Sequence, residues 1–172
     1  KQKFLINYEI YKNYVHIKKY LNHYNENNII LSIRKFCDNN NYKFICKPRL
    51  KFPFNETIFK YADEIIYDEE RDVYPTKLQK ILQKTDLIIG SLSSTVFEAA
   101  MFGTPYINIE IPMIAFPKDV DDAFWYNYNE GHYYNYPGVV YSYSIEKFIA
   151  KFNNKNSNFF LVDPDKRARY LE

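Results

Sequence analysis

The stretch Gly90-Ser-Leu-Ser-Ser-Thr-Val-Phe-Glu-Ala-Ala-Met-Phe-Gly-Thr-Pro105 carries the residue types and spacing for binding a phosphate. A β-rich run, Asp86 to Gly90, ends at a glycine, a hydroxyl-rich turn follows, and a helix from about Thr95 to Phe102 starts on that turn. A helix N-terminus offers backbone N–H groups without intrahelical partners and the positive end of the helix dipole. Ser91, Ser93, Ser94 and Thr95 add side-chain donors. Glu98, one turn further on, can accept from two neighbouring hydroxyls such as those of a ribose. The same residues also support a purely local reading. Thr95-Val-Phe-Glu98 matches the S/T-x-x-E capping box, in which the Thr hydroxyl and the Glu carboxylate satisfy each other's backbone N–H groups. Gly103 and Pro105 would then be helix-stop signals and nothing more.

Three other places hold chemically capable side chains. Lys47-Pro-Arg49 follows a short strand-like run, and two cations at a strand's carboxyl end suit the negative charge on a departing phosphate, Arg through its bidentate fork. A solvated basic loop extended by Lys51 is the competing reading. His132, between Gly131 and Tyr133, has the chemistry of an acid or base, although a lone loop histidine is more often only solvated. The aromatic stretch from Phe116 to Tyr136 holds Trp125 and the cluster Asp119, Asp121 and Asp122. It suits a ring-binding loop or a packed surface excursion. The aspartate spacing matches no calcium loop, so no metal is expected.

The elements that must position these residues alternate. Phe4 to Ile10 reads as a strand, and Val15 to Cys37 as helix broken or bent by the cluster Asn25 to Asn28. A turn at Asp38 to Asn41 leads to a strand over Tyr42–Cys46. A weak helix near Asn55–Ala62, a strand at Glu64–Tyr67 and a helix at Pro75–Lys84 precede the strand and helix described above. Pro105 to Ile111 is the next strand, Gly138–Tyr141 the last, and Ser144–Phe152 the last clear helix. Asn153 to Asn158 reads as a polar linker, and Asp163 to Glu172 as the opening of a helix with proline in its first turn. Continuous apolar strands such as Leu87-Ile-Ile89 between helices predict a parallel sheet covered on both faces, hence an α/β, Rossmann-like, doubly wound domain over 1–172. In such sheets ligands bind at the carboxyl ends of the strands, where the serine turn falls.

Composition sets outer limits. The 172 residues allow one compact domain, and 47% hydrophobic with 26% charged residues excludes wholesale disorder. The formal net charge of +2 does not advertise a nucleic-acid partner, and none is expected. No apolar run approaches the roughly 18 to 20 residues of a membrane helix. Cys37 and Cys46 are too far apart in sequence for a CxxC motif, which suggests idle thiols in a reducing, cytoplasmic setting. The first residue is Lys, so a piece of a longer chain is expected.

The turn Ser93-Ser94-Thr95, then Glu98, Gly103, Pro105 and the apolar strand Tyr106 to Ile109, resembles the C-terminal, nucleotide-sugar-binding half of GT-B-fold glycosyltransferases. The order of elements is similar to a subgroup acting on capsule and other bacterial surface polysaccharides. Lys47-Pro48-Arg49 stands where that subgroup has a Lys-Pro-His-Pro-like motif, with Arg49 in place of His and without the second Pro. The resemblance implies that Ser93, Ser94 and Thr95 contact the donor phosphate and Glu98 the ribose. It further implies a nucleotide-activated sugar or polyol phosphate as substrate, no metal or other cofactor, and a glycan or lipid-linked acceptor. The acceptor would be held by an N-terminal domain that this chain lacks, so the isolated piece is expected to bind nucleotide with little turnover, in the cytoplasm or at the inner face of the membrane. Two other classes remain open here. A non-hydrolysing nucleotide-sugar 2-epimerase shares the half-fold, but this chain lacks the Gly-rich form of the turn. A receiver-like or interaction domain shares the topology, yet Glu9 stands alone where a receiver needs an acidic pair.

Overall fold

The computed structural model describes residues 26–48, 57–67, 76–91, 93–110, 128–153 and 160–172. Along the chain these form α1 (Glu26–Asn40), β1 (Ile45–Cys46), α2 (Thr57–Tyr61), β2 (Glu64–Ile65) and α3 (Thr76–Leu82). There follow β3 (Ile88–Gly90), α4 (Thr95–Phe102), β4 (Tyr106–Ile109), β5 (Val140–Tyr143), α5 (Ile145–Phe152) and α6 (Pro164–Leu171). The chain divides into two compact units. Among the described residues the first holds α1, β1, α2, β2 and most of α5, and the second holds α3, β3, α4, β4, β5 and α6.

In the first unit, Ile30, Ile33 and Cys37 lie at helical spacing on α1 and pack with Phe44, Ile58 and Tyr61. Burial pushes the Cys37 thiol up to about 11, so it acts as a small apolar group. α1 starts within the asparagine cluster expected to break or bend this region: Asn27 and Asn28 occupy its first turn, where the Asn28 carbonyl accepts the Ser32 hydroxyl at 2.8 Å. The helix runs on through Asp38 and stops at Asn41, whose φ of 56° is a conformation Asn tolerates. β1 and β2 pair in parallel, Ile45 opposite Glu64. Arg34 ties the unit together through Asp63 at 2.7 Å and Asp38 at 2.7 Å. On α5 the rings of Phe148 and Phe152 stack at 4.2 Å, and Phe152 meets Phe36 at 4.5 Å.

The second unit is built on a parallel sheet in the order β3-β4-β5. β4 is the middle strand and is buried along its whole length, as its run of Tyr and Ile predicts. α4 lays Val96, Ala99 and Ala100 against Tyr106, Val139 and Val140, and its two alanines let helix and sheet approach closely. It spans the predicted residues and ends at Gly103, φ 71°. There the Gly103 N–H donates to the Ala100 carbonyl (3.1 Å) and Thr104 N–H to Ala99 (2.9 Å), the two bonds of a Schellman motif.

The last strand begins at Val140, two residues later than the sequence suggests. Gly138 holds φ at 98° and the Tyr136 N–H bonds the Val140 carbonyl at 3.0 Å, so the preceding residues close a turn instead of extending. That strand runs on to Tyr143, so it is shifted and not shortened, whereas the other described strands and the helix expected from Pro75 are shorter than predicted at one or both ends, and the parallel pairing occurs in a three-stranded and a two-stranded sheet. The expected strand Phe4–Ile10, the helix before Asn25 and the linker core 154–158 lie outside the described residues. No described helix is long and apolar enough to cross a membrane.

Candidate functional site

The parallel register carries β3 upward to Gly90 beside Asn108, and the chain leaves the sheet at its carboxyl edge as the serine turn. Ser91 anchors the exit by donating its hydroxyl to the Ile109 carbonyl at 2.7 Å. That proton is therefore already engaged, and Ser91 ties two strands together where the sequence suggested a ligand donor.

Ser94 is the N-cap of α4, with φ −58°, ψ −15° and no side-chain capping bond. Ser93 donates its hydroxyl to Thr95 Oγ1 at 3.0 Å and accepts from the Thr95 N–H at 3.4 Å. The Val96 and Phe97 N–H groups turn back onto the Ser93 and Ser94 carbonyls at 3.1 and 3.0 Å, which tightens the first turn. Thr95 is thus the first helical residue and not the cap, so the Thr95–Glu98 pair is out of register for a capping box. Counted from Ser94, the third helical position is Phe97. With Ser91 donating to Ile109 and Ser93 to Thr95, the hydroxyls of this turn left to donate outward are those of Ser94 and Thr95, beside the positive end of α4. Glu98 is half-buried on the same turn.

Beneath the turn lies a row that sequence reasoning missed. Gly90, Asn108 and Ser142 stand at one register across β3, β4 and β5. Side chains alternate along a strand, so Asn108 shares the face of Tyr106, which packs against α4. Asn108 is fully buried and donates its amide to Ser142 Oγ at 3.0 Å. Gly90 has no room for a side chain, because a Cβ there would overlap the Tyr106 phenol oxygen. The available signal was a single amide inside the apolar run Tyr106 to Ile109, a position where a polar group persists only when hydrogen-bonded.

Lys47 directly follows β1 at the carboxyl end of the two-stranded sheet in the first unit, and is partly exposed. Arg49, Lys51, Asp119, Asp121, Asp122 and Trp125 lie outside the described residues. His132 sits in a tight turn in which its N–H bonds the Asn129 carbonyl at 3.0 Å and its own carbonyl accepts from Asn135 at 2.7 Å. Its ring lies 4.1 Å from that of Tyr133, and burial holds its pKa below the ordinary histidine value, which favours the neutral imidazole. Among the described residues no group of three or more His, Cys, Asp and Glu side chains gathers to hold a metal ion. An open hollow of about 390 Å³ between Leu82–Asp86 and Phe102–Pro105 lies at the amino edge of the second sheet, the end opposite the serine turn.

Comparison with known protein families, with curated proteins and with solved structures finds no match.

Proposed function

We propose that this chain is the donor-binding half of a GT-B-type glycosyltransferase, with a doubly wound Rossmann-like sheet. It grips a nucleotide-activated sugar or polyol phosphate for transfer to a glycan or lipid-linked acceptor. The observation that carries the reading is the start of α4 on the Ser93–Thr95 turn at the carboxyl edge of a parallel sheet. In this reading Ser94 and Thr95 donate to the donor phosphate, aided by the helix dipole, and Glu98 accepts from the ribose diol. Ser91 and Ser93 shape the turn through the bonds they make to Ile109 and Thr95. The acceptor and the group that activates it belong to an N-terminal domain, and transfer takes place on the cytoplasmic side of the membrane.

The test is a calorimetric titration of the chain with CMP, CDP, UDP and GDP, repeated on Glu98→Ala and Ser94→Ala. One nucleotide binds, and each substitution weakens it about tenfold or more, roughly 1.4 kcal/mol. Absence of binding by all four at millimolar concentration, with the fold intact by circular dichroism, overturns the reading.

A further inference from the structure

The chain's last helix is held in place by an unusual set of contacts. No side chain of α6 is fully buried. Instead Lys166, Arg167 and Tyr170, which share one face, each donate to backbone carbonyls of the second unit. Lys166 Nζ reaches the Pro137 carbonyl at 3.1 Å. Arg167 spreads its fork over the last turn of α4, with Nε on the Ala100 carbonyl and Nη2 on that of Met101, both at 2.6 Å. The Tyr170 hydroxyl donates to the Tyr133 carbonyl at 2.7 Å, and its ring stacks on Phe97 with centroids 6.0 Å apart. Gly138 completes the seat. Its carbonyl accepts the Asp163 N–H at 2.8 Å, and a Cβ there would come within 2.8 Å of Lys166 Cδ.

α6 has no fully buried side chain, so little apolar packing holds it. Its attachment rests mainly on exposed and half-exposed hydrogen bonds, the kind of segment that opens before the core does. We propose that α6 is a strap that opens and closes as one unit on α4 while the β3-β4-β5 sheet stays folded. Closed, Arg167 covers the Ala100 and Met101 carbonyls and Tyr170 covers Phe97. Open, those carbonyls and the Phe97 ring turn to water, and α4 loses its grip at the end opposite the serine turn. The contact between Arg167 and α4 sets the balance, because one side chain holds the Met101 carbonyl, which the helix end leaves unpartnered, and shares the Ala100 carbonyl with the Gly103 N–H.

Native-state hydrogen exchange read by mass spectrometry on the whole chain tests this. Amides of Ala168 to Leu171 exchange together, at least tenfold faster than those of Ile107 to Ile109 and with a weaker dependence on added urea. Arg167→Ala speeds exchange in α6 a further tenfold or more and leaves Ile107 to Ile109 unchanged; Tyr170→Phe acts in the same direction. Exchange of α6 at the rate and urea dependence of β4 overturns the proposal. So does an Arg167→Ala protein whose α6 exchanges as the parent does.

Discussion

Asn108 donates its side-chain amide to the hydroxyl of Ser142 at 3.0 Å, joining the fully buried centre of β4 to the neighbouring strand β5. Ser142→Ala takes that acceptor away from a buried amide, which costs about 1 to 3 kcal/mol. The urea midpoint falls accordingly. An unchanged midpoint would mean that the amide's other contacts carry it without Ser142.

Gly90 and Tyr106 compete for one space. Gly90→Ala drives its methyl into the phenol oxygen, an overpacking that costs roughly 1 to 3 kcal/mol. Removing that oxygen eases the collision, leaving Tyr106 Cζ at 2.9 Å as the nearest atom, so Gly90→Ala combined with Tyr106→Phe is less destabilised than the two single changes added together. A double-mutant cycle measured by chemical denaturation reads this directly, and simple additivity would sink it.

Two helix starts in this chain differ, and the difference can be measured. Ser94 makes no side-chain capping bond, so Ser94→Ala changes stability by less than about 0.5 kcal/mol, where loss of a working cap costs about 1 kcal/mol. Asp163 accepts from the Asp165 and Lys166 N–H groups at 2.9 and 3.0 Å, and Asp163→Ala lowers the midpoint further than Ser94→Ala does. Any loss of nucleotide affinity in Ser94→Ala therefore reports on ligand contact and not on a melted helix. A Ser94→Ala midpoint as low as that of Asp163→Ala would contradict the account of the turn.

The Arg34 guanidinium and then the Phe44 N–H hold the Asp63 carboxyl below the ordinary value of 3.8. A group whose pKa is depressed by folding contributes stability above its unfolded value and loses it as pH falls through the folded one. The chain therefore weakens as pH drops below about 4, and Asp63→Asn has a flatter profile between about pH 5 and pH 2. Denaturation midpoints across that range check it. Parallel profiles would show that the Arg34 pair contributes nothing to acid sensitivity, as exposed pairs often do.

The local signals in the sequence were read well where hydrophobic spacing and stop residues coincide. α4 lies on the residues predicted from Thr95 and Gly103, and the parallel pairing of β3 and β4 follows from their continuous apolar runs. What escaped were features set by neighbours distant in sequence. The Ser91 proton goes to Ile109, eighteen positions on, and Arg167 reaches back to Ala100. Neither bond leaves a mark in a local window. The cap fell on Ser94 because the tight first turn draws Val96 and Phe97 onto Ser93 and Ser94, a choice between adjacent hydroxyl residues that spacing cannot make. The start of β5 was misplaced because Gly138 was read as part of a strand when its left-handed φ requires a turn.

The in-order arrangement of β3, β4 and β5 also bears on folding kinetics. Joining β3 to β4 closes the connection 91–105, which carries its own helix, whereas joining β4 to β5 closes 110–139, about twice as long and about 0.6 kcal/mol harder in chain entropy. On that basis the β3-α4-β4 crossover is expected to form first, with β5 condensing onto it afterwards. Stopped-flow refolding then separates two kinds of damage: substitutions such as Ala99→Gly in α4 slow folding, while Ser142→Ala in β5 chiefly hastens unfolding.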